Sequence, residues 1–371
     1  MKALILTYHY LDNYGAVLQA FALQRYLSQS GIDAKILDYR PGLYGFGDYT
    51  FLLKDARLPA KFKKFIYGNI KALLSIKRKK NFRLFSEKYL NRTEKKYRDV
   101  NSLEKSAPYA DIYITGSDQV WNDDILGLCE GYFLTFVKNE SLKASYAASI
   151  GKDTISPAYA ERLKKYLDSF DFISVREEAA KAALENAGLK AVLTVLDPVF
   201  LLGPEAYEDL MTKPAIDDYV FIYCFDSNEQ CYSLAKILAE RNHLKTISFS
   251  GWFNKFHTDY FVNTASPAEF LSYLRNAEYV VTNSFHGTAF SILFEKEFYS
   301  VPPVSRVSRI ESLLYAVNLQ DRMLHNNEKL EAIEAIDYQA VKGYLSQGIE
   351  KSKAYLKSVI DAAGRRKRKN E

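Results

Sequence analysis

Arg176, His286, Asp118 and Arg309 are the side chains of this 371-residue chain whose type and setting could do chemistry. Arg176 directly follows the apolar run Phe172-Ile173-Ser174-Val175, so its guanidinium faces either a ligand anion or a carboxylate of Glu177, Glu178 or Asp171. His286 stands in Asn283-Ser284-Phe285-His286-Gly287, between a strand and a helix. There Gly287 lets a ligand approach the backbone, and free helix N–H groups favour an anion. Asp118, in Thr115-Gly116-Ser117-Asp118, is either a base for a hydroxyl or a turn and helix-cap residue. Arg306 and Arg309 follow the last strand, with Arg306 the better candidate for a solvated face. Guanidinium groups grip carboxylate and phosphate bidentately, and imidazole, ordinarily titrating near neutrality, can move a proton. This set suits an anionic donor. His9 reads as a half-buried histidine, Trp121 as packing, and His243, His257 and His325 as surface or core. No HExxH or other metal-ligand spacing occurs, no GxGxxG follows the first strand, and no Walker sequence is present. The chemistry therefore calls for no metal and no organic cofactor.

Such residues act only if strands end where they begin. Lys2–Tyr8 reads as a buried strand, Asn13-Tyr14-Gly15 as a turn, and the next residues as a helix stopped by Gly31. A second strand at Lys35–Tyr39 completes a βαβ unit, which demands a parallel sheet. Further strands are predicted at Ile112–Ile114 and Phe172–Val175, the latter followed by a helix over Glu178–Ala187. The second half alternates likewise: strand Tyr219–Phe225, helix Glu229–Arg241, strand Thr246–Phe249, and a helix opened by Ser266-Pro267. Strand Tyr279–Thr282, a helix to Phe294, strand Phe298–Val301 and a terminal helix over Tyr338–Ala363 close the pattern. The expected class is α/β, with two Rossmann-like domains facing a cleft. The first spans 1–205 with a basic helical insertion at 54–98, the second 206–325, and 326–371 is a helical extension with a basic tail. Open parallel sheets bind ligands beyond the carboxyl ends of their strands. That rule selects Tyr8–Gly15, Thr115–Asn122, Ser174–Glu177 and Asn283–Thr288.

Composition narrows the class. An apolar fraction of 48% supports a full core, and 26% charged residues exclude a disordered or fibrous chain. No apolar run approaches the ~20 residues of a membrane span, and the N-terminal run is too brief for a signal sequence. Three cysteines without CxxC spacing argue against a disulfide framework or a zinc knuckle. The expectation is a cytoplasmic protein. Its net charge of +5 is unevenly spread: residues 54–98 hold sixteen Lys/Arg against three Asp/Glu, and the tail carries Arg365, Arg366, Lys367, Arg368 and Lys369. Lys61, Lys63, Lys64 and Lys71 interleave with Phe62, Phe65, Ile66 and Ile70, a pattern that lies on anionic membrane surfaces or packs its apolar side on the domain. No nucleic-acid reading motif accompanies the charge, so a nucleic-acid partner is not expected.

Five motifs occur in order: Asn13-Tyr14-Gly15-Ala16-x-Leu18-Gln19-Ala20, Thr115-Gly116-Ser117-Asp118-Gln119-x-Trp121-Asn122, Ser174-Val175-Arg176-Glu177, Asp197-Pro198 and Ser284-Phe285-His286-Gly287. Together they resemble the polysaccharide pyruvyl transferase family, from residue 1 to about 325. The resemblance implies a glycosyltransferase-B-like fold that moves pyruvyl from phosphoenolpyruvate onto a sugar diol as a cyclic ketal. The acceptor would be a glycan or lipid-linked glycan, met at the inner face of the membrane. Family members keep an Arg in a Ser-x-Arg motif and a late His, which Arg176 and His286 match. Relatives carry an Arg two positions before that His, where this chain has Ser284, and Arg309 is the candidate replacement. The implied catalytic pair is His286 and Asp118. The candidate binding set is Arg176, Arg309, Asn13, Tyr14, Gly15, Ser117, Ser284 and Gly287, of which the resemblance itself carries Arg176. The competing enzyme is a glycosyltransferase that uses a nucleotide sugar in the same two-domain cleft.

Overall fold

The computed structural model describes residues 1–41, 76–138, 140–225, 228–249, 255–325 and 334–370. After Lys2, all of strand β1 (Lys2–Leu6) is buried, because helices cover both faces of a parallel sheet. Asn13 then caps the helix Tyr14–Gln29 by accepting from the Ala16 N–H at 3.1 Å. The chain returns as β2 (Asp33–Ile36), parallel to β1. Strands β3 (Ile112–Thr115) and β4 (Leu142–Ser145) extend the sheet in the order β2-β1-β3-β4, all parallel. Single bridges Ala144↔Phe172 and Ala148↔Val175 carry it on to the short pair β5 (Ser174–Val175) and β6 (Leu193–Thr194).

The second sheet contains β7 (Tyr219–Tyr223), β8 (Lys245–Ser248), β9 (Tyr260–Phe261), β10 (Tyr279–Thr282) and β11 (Glu297–Ser300). Its order is β11-β10-β7-β8-β9, again parallel throughout. The α/β class, the parallel sheets and the terminal helix are as the sequence predicts. Strand order reverses between β1 and β3 in the first sheet and between β7 and β10 in the second. These are the crevices where open sheets bind ligands.

Helix Tyr14–Gln29 belongs to the first sheet but packs into the core of the second. Tyr14 stacks on Phe270 at 4.6 Å, and Phe21, Phe221 and Phe290 share the same apolar cluster. The terminal helix Tyr338–Asn370 crosses back to the first sheet, burying Tyr355, Leu356 and Val359 against Ile112 and Ala144. The Tyr355 hydroxyl donates to the Ser145 carbonyl at 2.6 Å.

Two expectations are corrected here. Cys224 and Cys231 form a disulfide, the first just after β7 and the second in the first turn of the helix Glu229–Asn242. His9 is fully buried instead of half-buried, its Nε2 3.0 Å from Asp38 Oδ1. In the basic stretch 54–98, Lys61, Lys63, Lys64 and Lys71 lie outside the described residues. The helical residues 76–89 put Phe82 and Phe85 into the shared core, while Lys77 and Lys80 stay exposed. Among the described residues no helix is long and apolar enough to cross a membrane.

Candidate active site

Every residue selected from the sequence sits at the carboxyl end of a strand. Asn13, Tyr14 and Gly15 follow β1, Ser117 and Asp118 follow β3, and Arg176 follows β5. From the second sheet, Ser284, His286 and Gly287 follow β10, and Arg309 follows β11. Contacts between the two sets bring the two switch points together.

Asp197 is the hub of this junction. It follows β6, and its Oδ1 caps the short turn Pro198–Leu201 by accepting from the Val199 N–H at 3.2 Å. Its Oδ2 accepts from Arg176 Nη1 and from the Ser117 hydroxyl, both at 2.8 Å. The same oxygen lies 3.6 Å from His286 Nε2, beyond direct hydrogen-bond reach. Burial alone would raise the Asp197 carboxyl, but His286 and Arg176 overcome it and hold the group well below the ordinary carboxylate range.

Arg176 is buried and its guanidinium is only partly spent. Its Nε faces Glu177 Oε1 at 3.2 Å, and that oxygen also accepts from the Ser149 hydroxyl at 2.6 Å. The guanidinium lies over the Phe285 ring at 4.1 Å, a contact from the first sheet's residues to the second's. Of the carboxylates considered from sequence, Glu177 does pair with Arg176, whereas Asp171 pairs with Arg366. Arg176 Nη2 and Glu177 Oε2 remain buried without a hydrogen-bond partner.

His286 is carried on the first turn of the helix Phe285–Leu293. Its ring rests on Gly15, so closely that a β-carbon at Gly15 would be 2.0 Å from Nδ1. Nε2 has no hydrogen-bond partner. Ser284 caps this helix, its hydroxyl accepting from the Gly287 N–H at 3.4 Å. Gly287 is not open to a ligand as expected: a β-carbon there would be 2.3 Å from Thr282 Oγ1, so the glycine serves the packing of helix on strand. The Tyr14 side chain is likewise taken up in packing, with its hydroxyl donating to the Ala265 carbonyl at 3.0 Å. Asn13 spends its side-chain oxygen on the helix cap.

Asp118 has φ 74°, a left-handed conformation that aspartate, like asparagine, adopts more readily than other non-glycine residues. Its Oδ1 accepts from the Gln119 N–H at 2.8 Å, so it closes a turn as one of its two readings required. Arg309 enters from the first turn of the helix Ser308–Ala316. Desolvation, followed by the repulsion of Arg176, pulls its guanidinium down to about 10, while Glu177 and Asp118 oppose that shift. Arg309 Nε is buried with no hydrogen-bond partner. Asp153, from the first sheet's side, fixes the approach by accepting from the Arg306 N–H at 2.6 Å and the Ser308 N–H at 2.9 Å.

Sequence reasoning named Glu177 as a possible partner of Arg176 and Asp197-Pro198 as a motif, but it missed the hub role of Asp197 and gave Ser149 no role. Asp197-Pro198 carried a signal, an acidic cap residue just before a proline turn. Ser149 carried none, because β4 was not predicted.

Two parallel α/β sheets of Rossmann-like order meet at their switch points around a buried cluster in which Arg176 Nη2 and Arg309 Nε lack hydrogen-bond partners. The sequence model of polysaccharide pyruvyl transferases matches residues 13–303, and the chain belongs to that enzyme family. No curated protein matches it. Similar solved structures include a UDP-GlcNAc 2-epimerase from Neisseria meningitidis bound to UDP-GlcNAc, 11% identical, with 97% of this chain and 94% of that chain covered and a TM-score of 0.48. The UDP-N-acetylglucosamine 2-epimerase from Rickettsia bellii is 11% identical over 98% of each chain, with a TM-score of 0.47. The glycosyltransferase SsfS6 from Streptomyces sp. SF2575 is 12% identical, covering 97% and 96%, with a TM-score of 0.39.

Proposed function

We propose that this chain transfers a pyruvyl group from phosphoenolpyruvate to a diol of a surface-polysaccharide precursor, forming a cyclic ketal and releasing phosphate. One observation carries the reading. Arg176 and Arg309 are close enough to repel each other, with Glu177 and Asp118 opposing that repulsion, and each keeps a buried N–H group without a hydrogen-bond partner. A donor with both a carboxylate and a phosphate would accept from these unpartnered N–H groups.

His286 gives a proton to the methylene carbon of the enol, which becomes a methyl group and leaves positive charge on its neighbour. A sugar hydroxyl attacks there and surrenders its proton to Asp118. Phosphate departs with its bridging oxygen, the second hydroxyl closes the ketal, and its proton leaves with the phosphate. Two hydroxyl protons thus balance one new C–H bond and one protonated phosphate, once the proton taken by Asp118 has returned to His286 through solvent. Ser117, fixed on Asp197, lines the same junction. Calorimetric titration tests the donor: phosphoenolpyruvate should bind, with phosphate released when a membrane extract supplies acceptor. Binding of a nucleotide sugar with indifference to phosphoenolpyruvate would replace this reading by glycosyl transfer.

The lipid-linked acceptor and an anionic membrane surface belong to the same proposal, with the protein docking from the cytoplasmic side. The exposed Arg365, Lys367, Arg368 and Lys369 of the tail support it. Sedimentation with vesicles at low salt tests it, and equal partitioning between neutral and anionic vesicles would contradict it.

A further inference from the structure

The cations that suit the donor, Arg176 and Arg309, leave open what recognises the acceptor. At the other switch point, between β7 and β10, Phe225 leaves the end of β7 with its ring 41% exposed. Among the described exposed large apolar residues, Phe225 and Val304 lie on loops at carboxyl strand ends of this sheet, and Phe225 is the aromatic one. Its backbone is held at two points by one side chain. The Phe225 N–H donates to Asn283 Oδ1 at 2.7 Å, and Asn283 Nδ2 donates to the Phe225 carbonyl at 3.0 Å. The preceding residue, Cys224, is bonded to Cys231, and Asn228 caps the following helix. The inner edge of the ring meets Tyr223 at 5.1 Å in a T-shaped contact. An apolar ring fixed this firmly and still open to solvent is built for contact with something.

Its position says what. Tyr223 pairs with Thr282 in the β7–β10 register, so Phe225 falls opposite Ser284, two residues before His286. We propose that Phe225 is the floor of the acceptor subsite, a fixed aromatic ring on which the C–H face of one sugar stacks. This inference rests on the glycan-acceptor reading above. The electron-rich face of an aromatic ring attracts the polarised C–H groups of a pyranose, and the sugar's edge hydroxyls then project sideways. A sugar stacked on Phe225 would lie beside Ser284, two residues before His286, so a diol on its edge could meet the donor there. An apolar floor with few polar groups also leaves the donor's charge to the arginines.

Saturation-transfer NMR with methyl β-galactoside, methyl β-mannoside and methyl β-N-acetylglucosaminide tests the subsite without any donor. At least one glycoside should receive saturation on the C–H protons of one ring face. Phe225→Ala should cut that transfer at least fivefold with an unchanged melting temperature, and Phe225→Trp should restore it. An equal signal in Phe225→Ala, or none with any glycoside on the wild-type protein, overturns the proposal. Phosphate release from phosphoenolpyruvate is scored in parallel. Release that ignores Phe225 keeps the reaction and removes this subsite, whereas Phe225-dependent stacking without release keeps the subsite and removes the donor.

Discussion

The imidazole of His286 rests on the α-carbon of Gly15, where a β-carbon would come within 2.0 Å of Nδ1. A helix of one sheet thereby sets the ring carried by a helix of the other. Gly15→Ala must push the ring aside while leaving the helix itself content, since alanine favours helix. We expect turnover to fall about 10–100-fold, the scale on which ~1 Å misplacement acts, with little change in donor affinity. Steady-state kinetics on the variant, beside its melting curve, check this.

Asp197→Asn should destabilise the fold. The substitution leaves Arg176 buried with Glu177 as its remaining charged partner. Breaking a buried pair from one side costs about 3–5 kcal/mol, and the surviving partner places this case toward the lower figure. Chemical denaturation measures it.

The pH dependence follows from the direction of the same shift. Asp197 is held below its unfolded value, so its stabilising contribution is present above the ordinary carboxylate range near about 4 and is lost as pH falls. Denaturation midpoints of the wild-type protein should drop progressively below about pH 5. The drop should be shallower in Asp197→Asn, and parallel curves would count against this role.

Much of this architecture is legible in the sequence, and the failures have physical causes. Strand Tyr279–Thr282 and helix Pro267–Arg275, with its Ser266–Glu269 capping box, announce themselves through β-branched residues and cap chemistry. Strand β4 does not, because Leu142-Lys143-Ala144-Ser145 alternates apolar and polar over only four residues and holds no β-branched or aromatic residue, although all four are buried. Without β4, Ser149 could not be placed. Arg176, His286 and Arg309 were readable because each directly follows a strand or opens a helix. Gly287 misled for a related reason: spacing shows that a glycine meets something closely, but not that the neighbour is Thr282. Asp197-Pro198 was visible as a motif, but the hub role of Asp197 was hidden because its partners Ser117, Arg176 and His286 lie 80, 21 and 89 residues away in the chain.

Arg176→Lys replaces a fork by a point charge. Phosphoenolpyruvate affinity should fall about tenfold, roughly 1.4 kcal/mol, because the unpartnered Nη2 position is lost. Calorimetric titration at a temperature where the variant is folded reads this separately from its lower melting temperature. Unchanged affinity would leave Arg176 as an internal ion pair only.

Arg309 supplies a pH signature. Its guanidinium is pulled down to about 10 by desolvation and then by Arg176, so it is charged below that pH and loses its charge above it. Donor affinity should therefore decline as pH rises through about 10, and Arg309→Met should abolish that decline while weakening binding throughout. Affinity titrations from pH 8 to about pH 11 check both.

The central claim is that His286 moves the proton that commits phosphoenolpyruvate to transfer. The most direct measurement is phosphate release from phosphoenolpyruvate with a membrane extract as acceptor, comparing wild-type protein with His286→Gln. Glutamine keeps the approximate size and one donor, and the account predicts normal folding, donor affinity close to wild type, and turnover lower by about 10²–10⁴-fold. Turnover of His286→Gln within a few-fold of wild type would contradict it.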